Sequence, residues 1–148
     1  MKVLLVGEFS GFYLNLKQGL QELGVDVTLA ANGDGWKGIP GADMSLYRTG
    51  DTNKLKKIYY KLMQPVFGRK TLQGYDVVQM VHESVYRPYI NSYMTKKLKE
   101  KNKSLFVNIA GNCHSLYEAW RDGKLGYYTF DNNPEKYEMY TGRGLRRA

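Results

Sequence analysis

Within the first thirty-four residues an apolar run, Val3 to Val6, breaks at Gly7 into the loop Gly7-Glu8-Phe9-Ser10-Gly11. A helix-periodic stretch follows, and a second strand-like run spans Val25 to Ala30. That order is a β-loop-α-β unit, and it commits the chain to an open α/β sheet, because the crossover can return a parallel strand only through a covering helix. The loop falls at the carboxyl end of the first strand, where such sheets place their ligands.

The rest of the chain continues the alternation. Phe12, Leu16, Leu20 and Leu23 are spaced to share one face of the first helix, with Gly19 on that face to admit close approach to the sheet. Gly24 stands where a left-handed residue ends a helix. Asn32 to Ala42 is rich in glycine and reads as a loop. The patterns predict parallel strands over 2–6, 26–30, 76–81 and 104–109, with a weaker one over 44–47. Helices are expected over 11–23, 52–67 and 88–101. In the second, Leu55, Ile58, Tyr59, Leu62 and Val66 lie on one side and lysines on the other, and Pro65 is expected to kink or end it. Pro88 opens the third, with Ile90, Tyr93, Met94 and Leu98 turned inward, and Ser115 to Arg121 suits one more helical turn or two. The fold class is therefore α/β: a three-layer, Rossmann-like, mainly parallel sheet with helices on both faces.

Composition narrows the class further. A chain of 148 residues has room for one domain with a proper core. Thirteen tyrosines against five phenylalanines suggest broad half-buried surfaces whose hydroxyls reach water or ligand. No apolar run approaches membrane-spanning length, and no signal-peptide pattern opens the sequence. The single cysteine, Cys113, excludes an internal disulfide and fits a reducing compartment. Cys113-His114 has no second pair at ligand spacing, so no metal site is expected.

Three loops at strand ends carry candidate chemistry. In the first, glycines let backbone N–H groups approach a phosphate at a helix N-terminus, and Ser10 is placed to cap that helix. A tight turn with an N-cap explains the same residues. The loop is neither GxGxxG nor a P-loop, which weakens nicotinamide and ATP readings. In the second, His82-Glu83-Ser84, the imidazole is placed to donate to a sugar hydroxyl or to act as a base oriented by Glu83. An ordinary half-buried histidine fits equally. The third, Gly111-Asn112-Cys113-His114-Ser115, combines small residues with two hydrogen-bonding side chains.

The order of these pieces resembles the N-terminal domain of a GT-B glycosyltransferase of the retaining family 4, or "group 1", kind. Four segments carry the resemblance: MKVLLVGEFSGFYLNLKQGLQELGVDVTLAANGDGWK, GYDVVQMVHES, LKEKNKSLFVNIAGNCHS and WRDGKLGYYTFD. They span the chain to Asp131, which delimits an expected domain of residues 1–131 and a polar tail or interdomain connection of 132–148. The resemblance implies an acceptor-binding half facing a nucleotide-sugar-binding half across a cleft. It implies that Gly7, Glu8, Ser10 and Gly11 face the donor diphosphate, and that the loop at His82 and the loop of Gly111, Asn112 and His114 line the acceptor pocket; His82 and Glu83, from their place at a strand end, are the catalytic candidates. It implies a nucleotide-sugar as co-substrate, with no cofactor, and a polysaccharide or glycolipid as acceptor. The paired glutamates of the donor domain are missing from the sequence, so this hexosyltransferase-type enzyme is expected to be incomplete and inactive without a donor-binding partner domain.

Charge keeps a second reading open. The net charge is +8, and it clusters at Lys54, Lys56, Lys57, Lys61, Arg69 and Lys70, at Lys96, Lys97, Lys99, Lys101 and Lys103, and at Arg143, Arg146 and Arg147. Such clusters suit a non-catalytic module bound to phosphate-bearing surfaces, nucleic acid first, although no basic-aromatic RNA motif is present, or anionic membrane. Solvated helix faces explain them as well. The corresponding location is the cytoplasm, with peripheral attachment to the inner face of the membrane.

Overall fold

A computed structural model describes residues 1–34, 37–47, 53–108 and 118–125. The chain divides into two compact units, Met1–Asn108 and Ile109–Ala148. The first contains β1 (Lys2–Val6), α1 (Phe12–Glu22), β2 (Asp26–Ala30), α2 (Lys54–Gly68), a 3-10 turn (Arg69–Leu72), β3 (Val77–Met80), α3 (Pro88–Lys101) and β4 (Ser104–Val107). In the second, residues 118–121 are helical, and Gly123 takes a positive φ as that turn ends. The domain boundary expected at residue 131 lies outside the described residues.

The four strands form one all-parallel sheet in the order β2-β1-β3-β4. β1 and β3 are central, as near-continuous apolar runs require, since each is covered on both faces. Alternate side chains divide between two cores. Leu4, Val6, Val78 and Met80 pack with Leu72, Met94 and Leu98, and Val66 of α2 joins them. Val3, Leu5, Val27 and Leu29 pack with Tyr13, Leu16 and Leu20 of α1. Helices therefore cover both faces, and the sheet is the middle of three layers.

Local signals worked where backbone geometry decides. Gly24 sits at φ +76°, and the Gly24 and Val25 amides donate to Gln21 and Leu20 at 2.9 and 3.0 Å. This is a Schellman ending, which places the left-handed residue after the last turn. Pro88 opens α3 at its first turn.

Several expectations are corrected. The strand expected over 44–47 is a single parallel bridge between Ala30 and Met44, because Asp43 and Met44 reach β2 only at its end. β4 ends at Val107, and residues 109 and 110 lie outside the described residues, as does the expected start of α2 at Thr52. Pro65 does not end α2, which runs through it to Gly68. On α1 the buried face is turned: Tyr13 is 0% exposed and Lys17 is buried, while Phe12, Gly19 and Leu23 are exposed. A Cβ at Gly19 would meet nothing, so close packing is not its role. Lys17 turns inward because its ammonium meets Asp43 and the Gly41 carbonyl, and Asp43 also accepts from the Leu29 N–H at 2.7 Å. On α3, Tyr93 is exposed where it was expected inside.

The largest correction concerns α2. Val66 packs against the core, but Leu55, Ile58 and Tyr59 on the same stripe are exposed. The helix is longer than the face it covers, so its N-terminal half overhangs.

Candidate functional site at the carboxyl edge of the sheet

β1 and β3 are neighbours, and the connection leaving β1 runs to β2 on one side while that leaving β3 runs to β4 on the other, so the two diverge at the carboxyl ends of these strands. That divergence is the switch point where doubly wound sheets bind ligands. Two loops meet there: 7–11 after β1, and 81–87 after β3.

They meet through Gly7, which adopts φ +89°. A Cβ at this position would stand 2.5 Å from Val81 Cγ1 and 3.2 Å from Val85 Cγ2. Glycine is required twice over, for its dihedral and for the absent side chain.

The next residue changes the electrostatics of the first loop. Glu8 is buried, and its carboxylate turns back over the start of α1. It accepts from the Phe9 N–H at 2.7 Å, the Tyr13 N–H at 3.2 Å and the Leu14 N–H at 2.9 Å. The orphan amides of the helix N-terminus, which a phosphate would use, are thereby satisfied from within, by a negative charge that also suits the helix dipole. Ser10 is not the cap: Gly11 occupies that position, and no side chain of the capping residue bonds the helix. Ser10 instead sits at φ +52°, its N–H donating to Asp34 at 2.9 Å and its hydroxyl accepting from Lys37 at 2.6 Å. Lys37 also pairs with Asp34 at 2.8 Å and lies 5.3 Å from the centre of the Phe9 ring. The Lys37 ammonium and the Ser10 N–H hold the Asp34 carboxyl below the usual carboxylate range. Tyr13 is buried beside Glu8. Burial first, and then the Glu8 charge, push its phenol well above its ordinary value, and among the described residues its hydroxyl has no hydrogen-bond partner.

In the second loop His82 and Glu83 are neighbours in space as well as in sequence, with Nε2 and Oε2 3.4 Å apart and both side chains partly exposed. The Ser84 N–H donates to His82 Nδ1 at 3.0 Å. An acceptor role for Nδ1 puts the neutral ring's proton on Nε2, facing Glu83. To take a proton from a ligand the ring would have to give up one of these partners. The loop is tied to α3 by Asn91, whose Oδ1 accepts from the Tyr86 N–H at 3.1 Å and whose Nδ2 donates to the Glu83 carbonyl at 2.7 Å.

Beyond this tie lies a cleft of about 420 Å³, lined by Tyr47, Ser84, Tyr86, Arg87, Asn91 and Ser92 among others. It opens over the N-terminus of α3, which has no acidic residue in its first turn and no side-chain cap. Tyr47 is carried in from the β2 side: its backbone N–H donates to Asn32 Oδ1 at 3.2 Å, and its carbonyl accepts from Asn32 Nδ2 at 2.6 Å. Tyr86 is buried below the opening. Desolvation raises its phenol well above the ordinary value, and its hydroxyl is without a partner among the described residues.

The structure thus brings the loop of Gly7, Glu8, Ser10 and Gly11 against the loop of His82 and Glu83. The third expected group, Gly111, Asn112 and His114, lies outside the described residues. Sequence reasoning missed Tyr47, Arg87, Asn91 and Ser92, which belong to no motif; the available signal was Pro88 opening a helix directly after a buried strand. Among the described residues no group of three or more His, Cys, Asp or Glu could hold a metal ion. No helix among them is long and apolar enough to cross a membrane. Compared with protein families, curated proteins and solved structures, the chain matches none.

Proposed function

We propose that residues 1–108 form the acceptor-binding half of a sugar transferase working at the cytoplasmic face of a membrane, with the cleft between the β3–α3 loop and Tyr47 as the acceptor seat. The observation that carries this reading is the lining of that cleft at the switch point. The Tyr47 ring suits the apolar face of a sugar ring, while Ser84, Asn91 and Ser92 suit its hydroxyls. Arg87 and the uncapped start of α3 favour a phosphate on the acceptor. The start of α1 favours none, because Glu8 already fills it.

In this reading His82 is the candidate base, and Glu83 orients it once the ring turns toward the ligand. The nucleotide-sugar is a co-substrate held mainly by a donor-binding domain, as the resemblance implies, with the 7–11 loop facing it. The chain alone is then expected to transfer no sugar, since orientation of the leaving diphosphate supplies a large part of the rate. The test is amide-resolved NMR titration with glucose 1-phosphate and with an alkyl glucoside. Shifts should concentrate on residues 84–92 and weaken in Arg87→Gln for the phosphate ligand only. Binding that leaves 84–92 unshifted, or sugar transfer by the isolated chain, would refute the reading.

A further inference from the structure

The apolar stripe of α2 continues past the edge of the core. Val66 packs inside, whereas Leu55 is 77% and Ile58 55% exposed, with Tyr59 and Met63 also exposed beside them. From Val66 back to Leu55 the stripe extends about 16 Å along the helix axis. Lys54 borders one side of it and Lys56 the other, while Lys57 lies on the far side of the helix, all exposed. Helix α2 contains no aspartate or glutamate at all.

Two needs therefore coincide on one surface: apolar area seeking cover and positive charge lacking compensation within its helix. A second copy of this chain would cover the apolar area, but it would set lysines against lysines. Nucleic acid would answer the charge and leave Leu55 and Ile58 against a polar backbone. A bilayer with anionic headgroups answers both, without requiring shape complementarity.

We propose that the N-terminal half of α2 is an in-plane docking element for membranes containing anionic phospholipid. Leu55, Ile58 and Met63 enter the headgroup–acyl boundary, Tyr59 sits at that boundary, and Lys54 and Lys56, which border the stripe, meet the phosphates. This docking is independent of what the cleft binds.

The test is co-sedimentation of the full chain with phosphatidylcholine vesicles, with and without phosphatidylglycerol, at low and high salt. Binding should require the anionic lipid and weaken with salt. Lys54→Gln combined with Lys56→Gln should lower the partition coefficient roughly 30-fold, at about 1 kcal/mol per lysine. Leu55→Ser combined with Ile58→Ser should lower it at least about tenfold, while the thermal midpoint stays near that of the parent. Lys96→Gln with Lys99→Gln on α3 should leave it within about twofold of the parent, by the same per-lysine scale if those side chains stay off the surface. Equal binding to neutral vesicles would overturn the proposal, as would full binding by the serine variant, which would make the attraction electrostatic alone. Duplex DNA that binds the same lysines more tightly than vesicles would assign the surface to nucleic acid. Self-association abolished by the serine variant, without vesicle binding, would assign it to a second copy.

Discussion

Helices α2 and α3 are similar in length and both rich in lysine, yet they solve opposite problems. In α3, Met94 and Leu98 are spaced four apart and fully buried. Its lysines are compensated on the helix itself: Lys97 and Lys96 approach Glu100 at 2.7 and 3.9 Å, and Lys99 and Lys101 lie in the last turn, where positive charge suits the dipole. In α2 the stripe leaves the core halfway along, and the helix holds no carboxylate to answer its lysines. A count of basic residues does not distinguish these helices. What distinguishes them is where the compensating groups lie: of the two, only α2 pairs an exposed apolar stripe with lysines that have no carboxylate in their own helix.

The largest effect should come from the core side of that comparison. Leu98→Ala should cost about 3 kcal/mol, a buried leucine removed from a packed site, whereas Ile58→Ser should cost no more than about 0.5 kcal/mol. Chemical denaturation measures both, and a loss on Ile58→Ser approaching that of Leu98→Ala would mean that α2 is packed after all. Next in size is Tyr86→Phe, which removes a buried hydroxyl that has no partner among the described residues, in the cluster that α3 completes. It should raise stability by about 1 kcal/mol, as should Tyr13→Phe on the opposite face of the sheet. A drop in either variant would reveal a partner for that hydroxyl.

The ion pairs come last. Partial burial works to raise the Asp43 carboxyl, but the Leu29 N–H and the Lys17 ammonium outweigh it and hold the group below its ordinary value. A carboxyl depressed in the folded state stabilises above its unfolded pKa, and that contribution is lost as pH falls through the folded one. Asp43→Asn should therefore flatten the acid limb of a stability–pH curve below the usual carboxylate range, and an unchanged limb would remove Asp43 from the balance. Glu100 is likewise depressed, chiefly by its hydrogen bond from Lys97, but it is exposed. Glu100→Gln should give the smallest change of the series, vanishing in high salt. A large effect there would mean that α3 depends on its pairs as well as on Met94 and Leu98.

The site was legible to a comparable depth. That chemistry belongs at the ends of β1 and β3 follows from the alternation of strands and helices, and the 7–11 and 82–84 loops are where the sequence puts them. The cleft itself was not legible, because Tyr47 arrives from beyond β2 while Ser84, Arg87 and Asn91 come from the turn into α3. Nor was the role of Glu8, whose neighbours Gly7 and Gly11 read as a phosphate cradle until its carboxylate is seen filling it.

By itself the sequence determined those features whose causes are local. The positive φ at Gly24 ends α1, the fixed φ of Pro88 starts α3, and the apolar run of β1 and the run of β3, broken only by Gln79, demand cover on both faces, hence the centre of the sheet. Tertiary structure alone decided which side of each helix faces inward and how far the cover extends. Lys17 is buried because Asp43, twenty-six positions on, reaches its ammonium. Leu55 and Ile58 are exposed because the core they would cover ends at Val66. A side chain's periodicity states which positions share a face; whether that face meets protein depends on which distant element arrives there to bury it.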